Sequence, residues 1–155
     1  MTEVCGPGLA PLCGIIRDAL SHGHQGSIAL FHGSWEPSGL YLQGNCFYLL
    51  GKPDQGILLT GTGSVDELRA LADQHLTFTY TPCVDAGAVA GTTIGRADQI
   101  ALSSYSKLAG WRVYLCGHPE MVQSAKKKAF LSGASISDIY ADPFLLSKSP
   151  TTTAA

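Results

Sequence analysis

The sequence predicts an α/β fold, a three-layer sandwich in which helices cover both faces of a mostly parallel, five-stranded sheet. Short apolar runs alternate with amphipathic stretches along most of the chain, a pattern typical of parallel strands joined by helices. The chain has 155 residues, 45% of them hydrophobic and 14% charged, which suits one domain with a sizeable core. We expect that domain to span residues 1–146 and the small polar tail, 147–155, to be disordered.

The first third of the chain predicts a helix followed by a strand. Residues 9–22 repeat apolar side chains at helical spacing. One face of this helix carries Leu9, Leu12, Cys13, Ile16, Ala19 and Leu20. Gly23 ends the helix, and the apolar run 27–33 predicts a short buried strand. Residues 34–56 are loop-like, with a further candidate strand at 46–50.

The remainder of the chain continues the alternation of strands and helices. Ser64 and Glu67 have the spacing of a capping box and predict a helix over about 65–75. The inward face of that helix carries Leu68, Leu71 and Ala72. Further helices are expected over 97–110 and from Pro119 to about Ser132. The remaining predicted strands are 56–61, 77–81, 111–116 and 138–144.

Composition and charge argue against several classes of function. The formal net charge of −2 gives no electrostatic basis for binding nucleic acid or an anionic membrane. No apolar run approaches the roughly 18 residues that span a bilayer, and no signal peptide is visible, so we expect a cytoplasmic protein. The five cysteines are scattered and never form a Cys-x-x-Cys pair, which argues for free thiols. His22 and His24 flank a helix end where cationic caps are common, so no metal site is predicted.

Two glycine-containing turns precede predicted helices, "GTGSVD" at 61–66 and "GPGLAP" at 6–11. A turn of this kind places backbone N–H groups and a helix N-terminus where a phosphate can bind. Neither completes the Gly-x-Gly-x-x-Gly pattern, because Asp66 and Pro11 occupy the third glycine position, and the P-loop lysine is absent from both. From these residues alone, phosphate binding and an ordinary tight turn both remain open.

Three other motifs differ in how specific they are. Tyr105 and Lys107 in "SSYSKL" are two residues apart, which does not place them on one helical face, so a solvated helix is preferred to a catalytic pair. The run Lys126–Lys128 likewise predicts a solvated helix face. The octet "YLCGHPEM", residues 114–121, is more specific, because a thiol and a glycine end a buried strand and a proline opens the next helix. Cys116 alone is equally consistent with core packing.

Longer segments resemble one family. The segment "VYLCGHPEMVQSAKKKAFLSGASISDIYADPF", 113–144, resembles the C-terminal end of ferredoxin–NAD(P)H reductase-like flavoproteins, such as oxygenase reductase components and flavin reductases. The segment "GLAPLCGIIRDALSHGHQGSIALFHG", 8–33, resembles their first helix and second strand. "GLYL" (39–42) and "VDELRALADQH" (65–75) resemble the next loop and helix. The resemblance implies a Rossmann-like, nicotinamide-dinucleotide-binding domain over 1–146, without the flavin-binding barrel that precedes it in the family.

The resemblance also implies a set of site residues. The pyrophosphate would be cradled by Gly6, Gly8, Leu9, Ala10, Pro11, Gly61, Thr62 and Gly63. The adenosine half would lie by Gly33, Ser34, Glu36 and Tyr41. The nicotinamide would lie by Gly117, His118, Pro119, Glu120 and Met121. Cys116 would be the catalytic residue nearest the hydride path, and the segment from Tyr140 to Phe144 would lie near the flavin.

The chain departs from the family in the order of its segments. A segment resembling "GNCFYLLGKPDQGILLTGTGS", 44–64, precedes "GLAPL" in the family, whereas here it follows "GLYL". Residues 43–64 are therefore interpreted as a transposed block; a rearrangement, an error in sequence order and an unrelated insertion remain open. In the present order, strand 57–61 is expected beside strand 27–32, and the phosphate loop would be assembled from two separate pieces.

The expected function is the NAD(P)H-binding domain of an electron-transfer oxidoreductase, which passes hydride to FAD held by a missing domain or a partner. Ser34, Trp35 and Glu36 follow strand 27–32 and bring no basic residue, which favours NAD(H) over NADP(H). Expected partners are the dinucleotide and a flavin-binding domain or electron-transfer protein. The alternatives are a non-catalytic nucleotide-binding or regulatory module, and an incomplete, rearranged fragment with no activity of its own.

Overall fold

The computed structural model describes residues 9–40, 45–51, 65–87 and 89–143, with the backbone alone described for 9–11 and 45–51. Strands and helices alternate in chain order. The helices are α1 (Leu9–Ser21), α2 (Val65–Gln74), α3 (Ala97–Ser104) and α4 (Pro119–Leu131). The strands are β1 (Ile28–Ser34), β2 (Asn45–Gly51), β3 (Phe78–Val84), β4 (Thr93–Ile94), β5 (Trp111–Gly117) and β6 (Ile139–Pro143).

The strands form one sheet with the order β4-β3-β1-β2-β5-β6. β1, β3 and β4 run parallel to one another, and β5 runs parallel to β6. β2 lies between these two parallel groups and is antiparallel to both neighbours, with Leu49 opposite Ala29 on one side and Val113 on the other. The parallel strands and their connecting helices fit a Rossmann-like α/β arrangement.

The sheet has six strands in the described residues, so the predicted number of five was wrong. The two-residue strand β4 is too short to leave an alternating pattern in the sequence. The candidate strand at 46–50 is confirmed as β2 and supplies the centre of the sheet. This strand belongs to the block interpreted as transposed, so the beginning of that block is an integral part of the fold.

The predicted strand at 56–61 lies outside the described residues, but its expected place beside β1 is taken. β1 pairs along its length with β3 on one side and with β2 on the other. Because a strand has only two hydrogen-bonding edges, both edges of β1 are occupied by described strands. The position expected for strand 57–61 beside β1 is held by β2.

Helices cover both faces of the sheet, as expected for three layers. α1 and α2 bury Ile16 and Leu68 against one face, where Ile28 and Leu30 of β1 point. The alternate residues of β1 and β5 point to the opposite face. There, α3 and α4 complete a second core cluster with Ala29, Phe31, Val113 and Leu115.

One helix end is set by a local sequence signal and another by a tertiary contact. Gly23 follows α1 with φ of 72°, and the next N–H, that of His24, donates to the carbonyl of Ala19 at 2.9 Å, a helix-ending turn that favours glycine. α3 ends at Ser104, six residues before the predicted end. The chain leaves the helix there because Leu108 is fully buried and its N–H donates to the carbonyl of Ser132 beyond α4.

β3 is longer than predicted because its hydrogen bonding tolerates a proline. The prediction ended at residue 81, before Pro82, whereas the strand continues to Val84. β4 pairs only with Cys83 and Val84 of this strand. The rest of that side behaves as a sheet edge, where a missing N–H breaks no ladder hydrogen bond. The extension carries the chain three residues further towards the edge where the candidate site lies.

Candidate functional site

The carboxyl ends of β1, β3 and β5 meet at one edge of the sheet. Gly33 of β1 is paired with Cys83 of β3, and Cys46 of β2 is paired with both His32 and Cys116. On one side of β2 the chain places β1 and then β3, and on the other side it places β5 and then β6, so the strand order reverses at β2. Open α/β sheets bind ligands at such a reversal, beyond the carboxyl ends of the strands.

A cleft of about 340 Å³ lies at this edge. The strand ends contribute its floor, and the first turns of α3 and α4 contribute its walls. It is lined by Gly33, Ser34, Trp35, Asp85, Arg96, Ala97, Asp98, His118, Glu120, Met121 and Ser124. Its volume falls within the range typical of small-molecule sites, roughly 300–1,000 Å³.

The β1 and β3 sides of the cleft are held together beyond the ends of the two strands. The N–H of Asp85 donates to the carbonyl of Ser34 at 3.1 Å, and the N–H of Ala86 donates to that of Trp35 at 2.8 Å. These bonds extend the parallel ladder by two steps past Val84. Trp35 and Asp85 are therefore fixed side by side at the cleft, and the Trp35 side chain is 72% exposed.

The α3 wall contains a buried ion pair. Arg96 donates from Nε to Oδ1 of Asp98 at 3.0 Å and from Nη2 to Oδ2 at 3.2 Å. The Asp98 side chain is 1% exposed, whereas that of Arg96 is 46% exposed. The acid also lies in the first turn of α3, where the helix dipole stabilises negative charge. The pair leaves the outer part of the guanidinium at the cleft surface.

The α4 wall is the turn from β5 into the helix. Gly117, the last residue of β5, has φ of 144°, a conformation that favours glycine. His118 precedes the helix, and Pro119 begins it in a position that requires no intrahelical N–H. Glu120 and Met121 then project from the first turn and line the cleft together with His118. The octet that the sequence singled out therefore forms one wall of this site.

Cys116 is not among the residues that line the cleft. It is 3% exposed and belongs to the core cluster that α1 completes. Burial, with a contribution from the negative charge of Asp142, raises the pKa of its thiol to about 11. The thiol is therefore protonated at neutral pH. Cys83 is also a buried free cysteine, so the expectation of free thiols is confirmed for Cys83 and Cys116.

Two tyrosine rings on the neighbouring strands β5 and β6 stack on each other. β6 begins the segment that was predicted to lie near the flavin. Tyr114 of β5 and Tyr140 of β6 are directly paired, and their ring centroids are 4.8 Å apart with planes inclined by 15°. Tyr140 remains 45% exposed. Burial raises the pKa of the Tyr114 hydroxyl, and the nearby Tyr140 adds to the shift.

His32 is buried beneath the site and is neutral. The side chain is 1% exposed, its Nδ1 lies 3.2 Å from the Tyr80 hydroxyl, and burial lowers its pKa to about 4. The two other histidines noted in the sequence lie elsewhere, at the end of α1. There, His22 Nδ1 is 3.1 Å from Oδ1 of Asp18. Across the described residues, no group of three or more potential ligands is arranged for a metal ion.

The predicted site residues divide into three groups. The cleft brings together Gly33, Ser34, His118, Glu120 and Met121. A second group lies near the same sheet edge but does not line the cleft: Glu36, Cys116, Gly117 and Pro119. The first turn of α1 is formed by Leu9, Ala10 and Pro11. The predictions that fall outside the described residues concern Gly6, Gly8, Tyr41, Gly61, Thr62, Gly63 and Phe144.

Sequence reasoning missed the lining residues that come from β3, α3 and the second turn of α4. These are Asp85, Arg96, Ala97, Asp98 and Ser124. Trp35, which also lines the cleft, entered the sequence analysis only as one of three residues that bring no positive charge. Asp85 follows a buried strand directly, a position that usually marks a site in parallel sheets. That signal was hidden because the strand was expected to end before Pro82. Arg96 and Asp98 carry no local signal, because their proximity to β5 depends on the fold.

Comparisons with known proteins agree with the resemblance. No family model matches the chain. It is 30% identical over 140 residues to the ferredoxin–NAD(P)+ reductase component of a naphthalene 1,2-dioxygenase system from Pseudomonas putida, covering 90% of this chain and 36% of the relative. It is 28% identical over 141 residues to reductase component 2 of a terephthalate 1,2-dioxygenase from a Comamonas species, covering 90% and 35%.

Over 90% of its length the chain is thus similar to reductase components of dioxygenase systems. The chain spans about a third of the length of the curated relatives it matches. Among solved structures, it resembles the Amycolatopsis cytochrome P450 reductase GcoB with a TM-score of 0.49 and 21% identity, over 52% of this chain and 24% of the other. None of its described helices is both long enough and apolar enough to cross a membrane.

Proposed function

We propose that this chain is the NAD(P)H-binding domain of an electron-transfer oxidoreductase. The observation that carries the proposal is the cleft at the reversal of strand order. It joins Gly33 and Ser34, expected at the adenosine half, to His118, Glu120 and Met121, expected at the nicotinamide. The Pseudomonas putida relative is named as a ferredoxin–NAD(P)+ reductase component, which supports the same assignment.

The residues of the cleft fit part of a nicotinamide dinucleotide. Its volume of about 340 Å³ lies in the range of small-molecule sites. Met121 and Trp35 offer apolar surface to a planar ring, and the first turns of α3 and α4 offer backbone N–H groups. When bound, the reduced nicotinamide supplies a hydride. The protein then binds and orients the ring, and no proton transfer by a side chain is needed.

The hydride acceptor in this proposal is a flavin, FAD, held by a further domain or by a partner. Cys116 is the penultimate residue of β5, beside the turn that would hold the nicotinamide, and we assign it a place next to the hydride path. Its raised pKa keeps it a neutral thiol, which suits packing beside the cofactor. Ferredoxin, named for one relative, is the class of protein we propose as the downstream electron acceptor.

The charges of the cleft favour NADH over NADPH. Three carboxylates, those of Asp85, Asp98 and Glu120, line it with one guanidinium, that of Arg96. Because Arg96 is paired with Asp98, the two remaining carboxylates set the local charge. An added 2′-phosphate would meet repulsion there, whereas ribose hydroxyls can donate hydrogen bonds to the carboxylates.

Calorimetric titration of the whole chain with NADH and NADPH tests the proposal. We expect binding of NADH and weaker binding of NADPH. Stopped-flow oxidation of NADH with FAD added then tests hydride transfer, which we expect to be slow without a flavin-holding partner. Absence of binding heat with both dinucleotides would contradict the proposal. Binding that gives no NADH oxidation at any flavin concentration would favour a non-catalytic nucleotide-binding module.

A further inference from the structure

The last turns of α4 expose lysines and large apolar side chains next to one another. The three lysines at 126–128 are exposed, and so are Phe130 and Leu131, which end the helix. Lys127 precedes Phe130 by three residues and Leu131 by four, so the three share one side of the helix. Ile136, between α4 and β6, is exposed as well. These residues form what we call the basal patch: Lys126, Lys127, Lys128, Phe130, Leu131 and Ile136.

The basal patch lies at the end of the molecule opposite the cleft. α4 begins at Pro119, beside the cleft, and its 13 residues carry the chain about 20 Å away from it. Ile136 lies shortly before β6, which runs parallel to β5, so this residue also lies where the strands begin. A partner bound to the basal patch would therefore leave the cleft open.

The helix explains the lysines of the basal patch but not its apolar side chains. Cations near a helix C-terminus are stabilised by the helix dipole, so the three lysines need no partner for that reason alone. Phe130 and Leu131 gain nothing from the dipole, yet Leu131 is 73% exposed. None of the three lysines makes an ion pair with another described residue. Uncompensated cations that border exposed apolar groups are suited to a surface of negative charge above an apolar interior.

Charge is distributed unevenly between the two ends of the molecule. The formal net charge of −2, taken over the whole chain, gives no attraction to an anionic surface. However, three carboxylates line the cleft. At the basal end, the described lysines are Lys107 and the three of the basal patch, and they outnumber the acids Asp73 and Asp138. An anionic surface would therefore attract the basal end and repel the cleft.

The charge and the spacing of the exposed side chains decide between possible occupants. A second copy of the chain, related by a two-fold axis, would bring three lysines against three others, which is repulsive. Leu76, fully exposed between α2 and β3, lies at the same end as Ile136, but β3 and β6 are four strand spacings apart, roughly 20 Å. A protein interface has a contiguous apolar core, whereas a bilayer accepts apolar side chains that are well separated.

We propose that the basal patch docks the protein on an anionic lipid membrane. Phe130, Leu131 and Ile136 enter the boundary between headgroups and acyl chains, and the three lysines lie among the anionic headgroups. The cleft then faces the aqueous phase, where a dinucleotide and a protein partner can reach it. This docking is peripheral, and it does not depend on the proposed dinucleotide function.

Sedimentation with lipid vesicles tests the docking. The whole chain should bind vesicles of equal parts phosphatidylcholine and phosphatidylglycerol, bind pure phosphatidylcholine far more weakly, and lose affinity as salt is added. The variant K126Q/K127Q/K128Q should bind the mixed vesicles about a hundredfold more weakly than the wild-type chain. Equal binding to the two kinds of vesicle, or unchanged binding by the triple variant, would overturn the proposal.

A matched pair of single charge changes tests the position of the attraction. K127Q and Q99E each lower the formal net charge by one, at the basal patch and at the first turns of α3 beside the cleft, respectively. K127Q should weaken binding to the mixed vesicles by about fivefold, whereas Q99E should leave it unchanged. Equal losses in the two variants would show that net charge alone acts and would reject the basal patch.

A second matched pair tests the apolar contribution. Leu131 of the basal patch and Ile94 of β4 are similarly exposed, at 73% and 66%, but Ile94 lies towards the cleft end, paired with Val84. L131S should bind the mixed vesicles about tenfold more weakly, and I94S should bind like the wild-type chain. Retention of the protein on immobilised polyglutamate without any vesicle binding would assign the lysines to an acidic protein and overturn the lipid assignment.

Discussion

Arg96 and Asp98 form a two-point ion pair at the first turn of α3, with donor–acceptor distances of 3.0 and 3.2 Å. The carboxylate is almost fully buried, whereas the guanidinium is half exposed. Because the two side chains differ in exposure, removing Arg96 and removing Asp98 should have different effects on stability. Without Arg96 a buried charge lacks its counter-ion, whereas without Asp98 the guanidinium can still be hydrated.

Substitution of Arg96 should therefore destabilise the protein more than substitution of Asp98. We expect R96M to lower the free energy of unfolding by about 2 kcal/mol and D98N by about 1 kcal/mol. The loss for R96M is smaller than for a fully buried ion pair because the Arg96 side chain is partly exposed to solvent. Urea unfolding at pH 7 measures both. K127M, on the exposed face of α4, is the control and should change stability by less than about 0.5 kcal/mol. A greater loss in D98N than in R96M would contradict this account.

His32 should make stability depend on pH in the weakly acidic range. Its pKa is lowered from 6.5 to about 4 in the folded protein, so between these values the unfolded chain binds a proton that the native state does not. Stability from this residue is complete above pH 6.5 and falls as the pH decreases towards 4, by roughly 3 kcal/mol in total. Urea unfolding of the wild-type chain and H32Q at pH 7.5 and 5 measures the difference.

The H32Q variant serves as the matched control for that titration. Glutamine retains a polar group near the Tyr80 hydroxyl, which lies 3.2 Å from His32 Nδ1, but it does not titrate. The variant should lose stability at pH 7.5 and show a smaller decrease than the wild-type chain on acidification. An identical decrease in both proteins would assign the pH dependence to other groups.

Gly117 should be intolerant of a side chain, because its φ of 144° is rarely adopted by other residues. We expect G117A to lower the free energy of unfolding by about 1–3 kcal/mol and to weaken NADH binding, since the turn carries His118 and Glu120 into the cleft. Chemical unfolding and calorimetry measure the two effects. G23N is the control, because asparagine tolerates φ near 72° and a Cβ there meets nothing within 4 Å. Wild-type stability in G117A would refute the assigned strain.

The cysteine thiols of the folded core should resist alkylation. Burial raises the pKa of Cys116 to about 11 and that of Cys83 to about 12, so the reactive thiolate is scarce at pH 8. We expect iodoacetamide to leave both unmodified in the native protein and to modify both in 6 M urea, as measured by peptide mass spectrometry. Rapid modification of Cys116 in the native state would show that the end of β5 opens readily.

Several elements of this fold follow from local patterns. α1 begins at the predicted residue and ends within one residue of the prediction, because its apolar spacing and Gly23 are both local signals. The octet around Cys116 likewise predicts a strand, a glycine turn and a helix, and all three are present. Such features depend on backbone preferences within one or two turns, which adjacent residues are sufficient to determine.

The sequence by itself determined the alternation of helices and strands, the faces of the main helices and the turn that carries His118 and Glu120. Only the tertiary structure decided that β2 fills the centre of the sheet in antiparallel orientation, since its apolar residues suit a buried strand of either direction. It also decided that Asp85 and Arg96 join Trp35 in one cleft. These residues lie on separate elements, and their proximity arises from strand order and helix crossing, which no local spacing encodes.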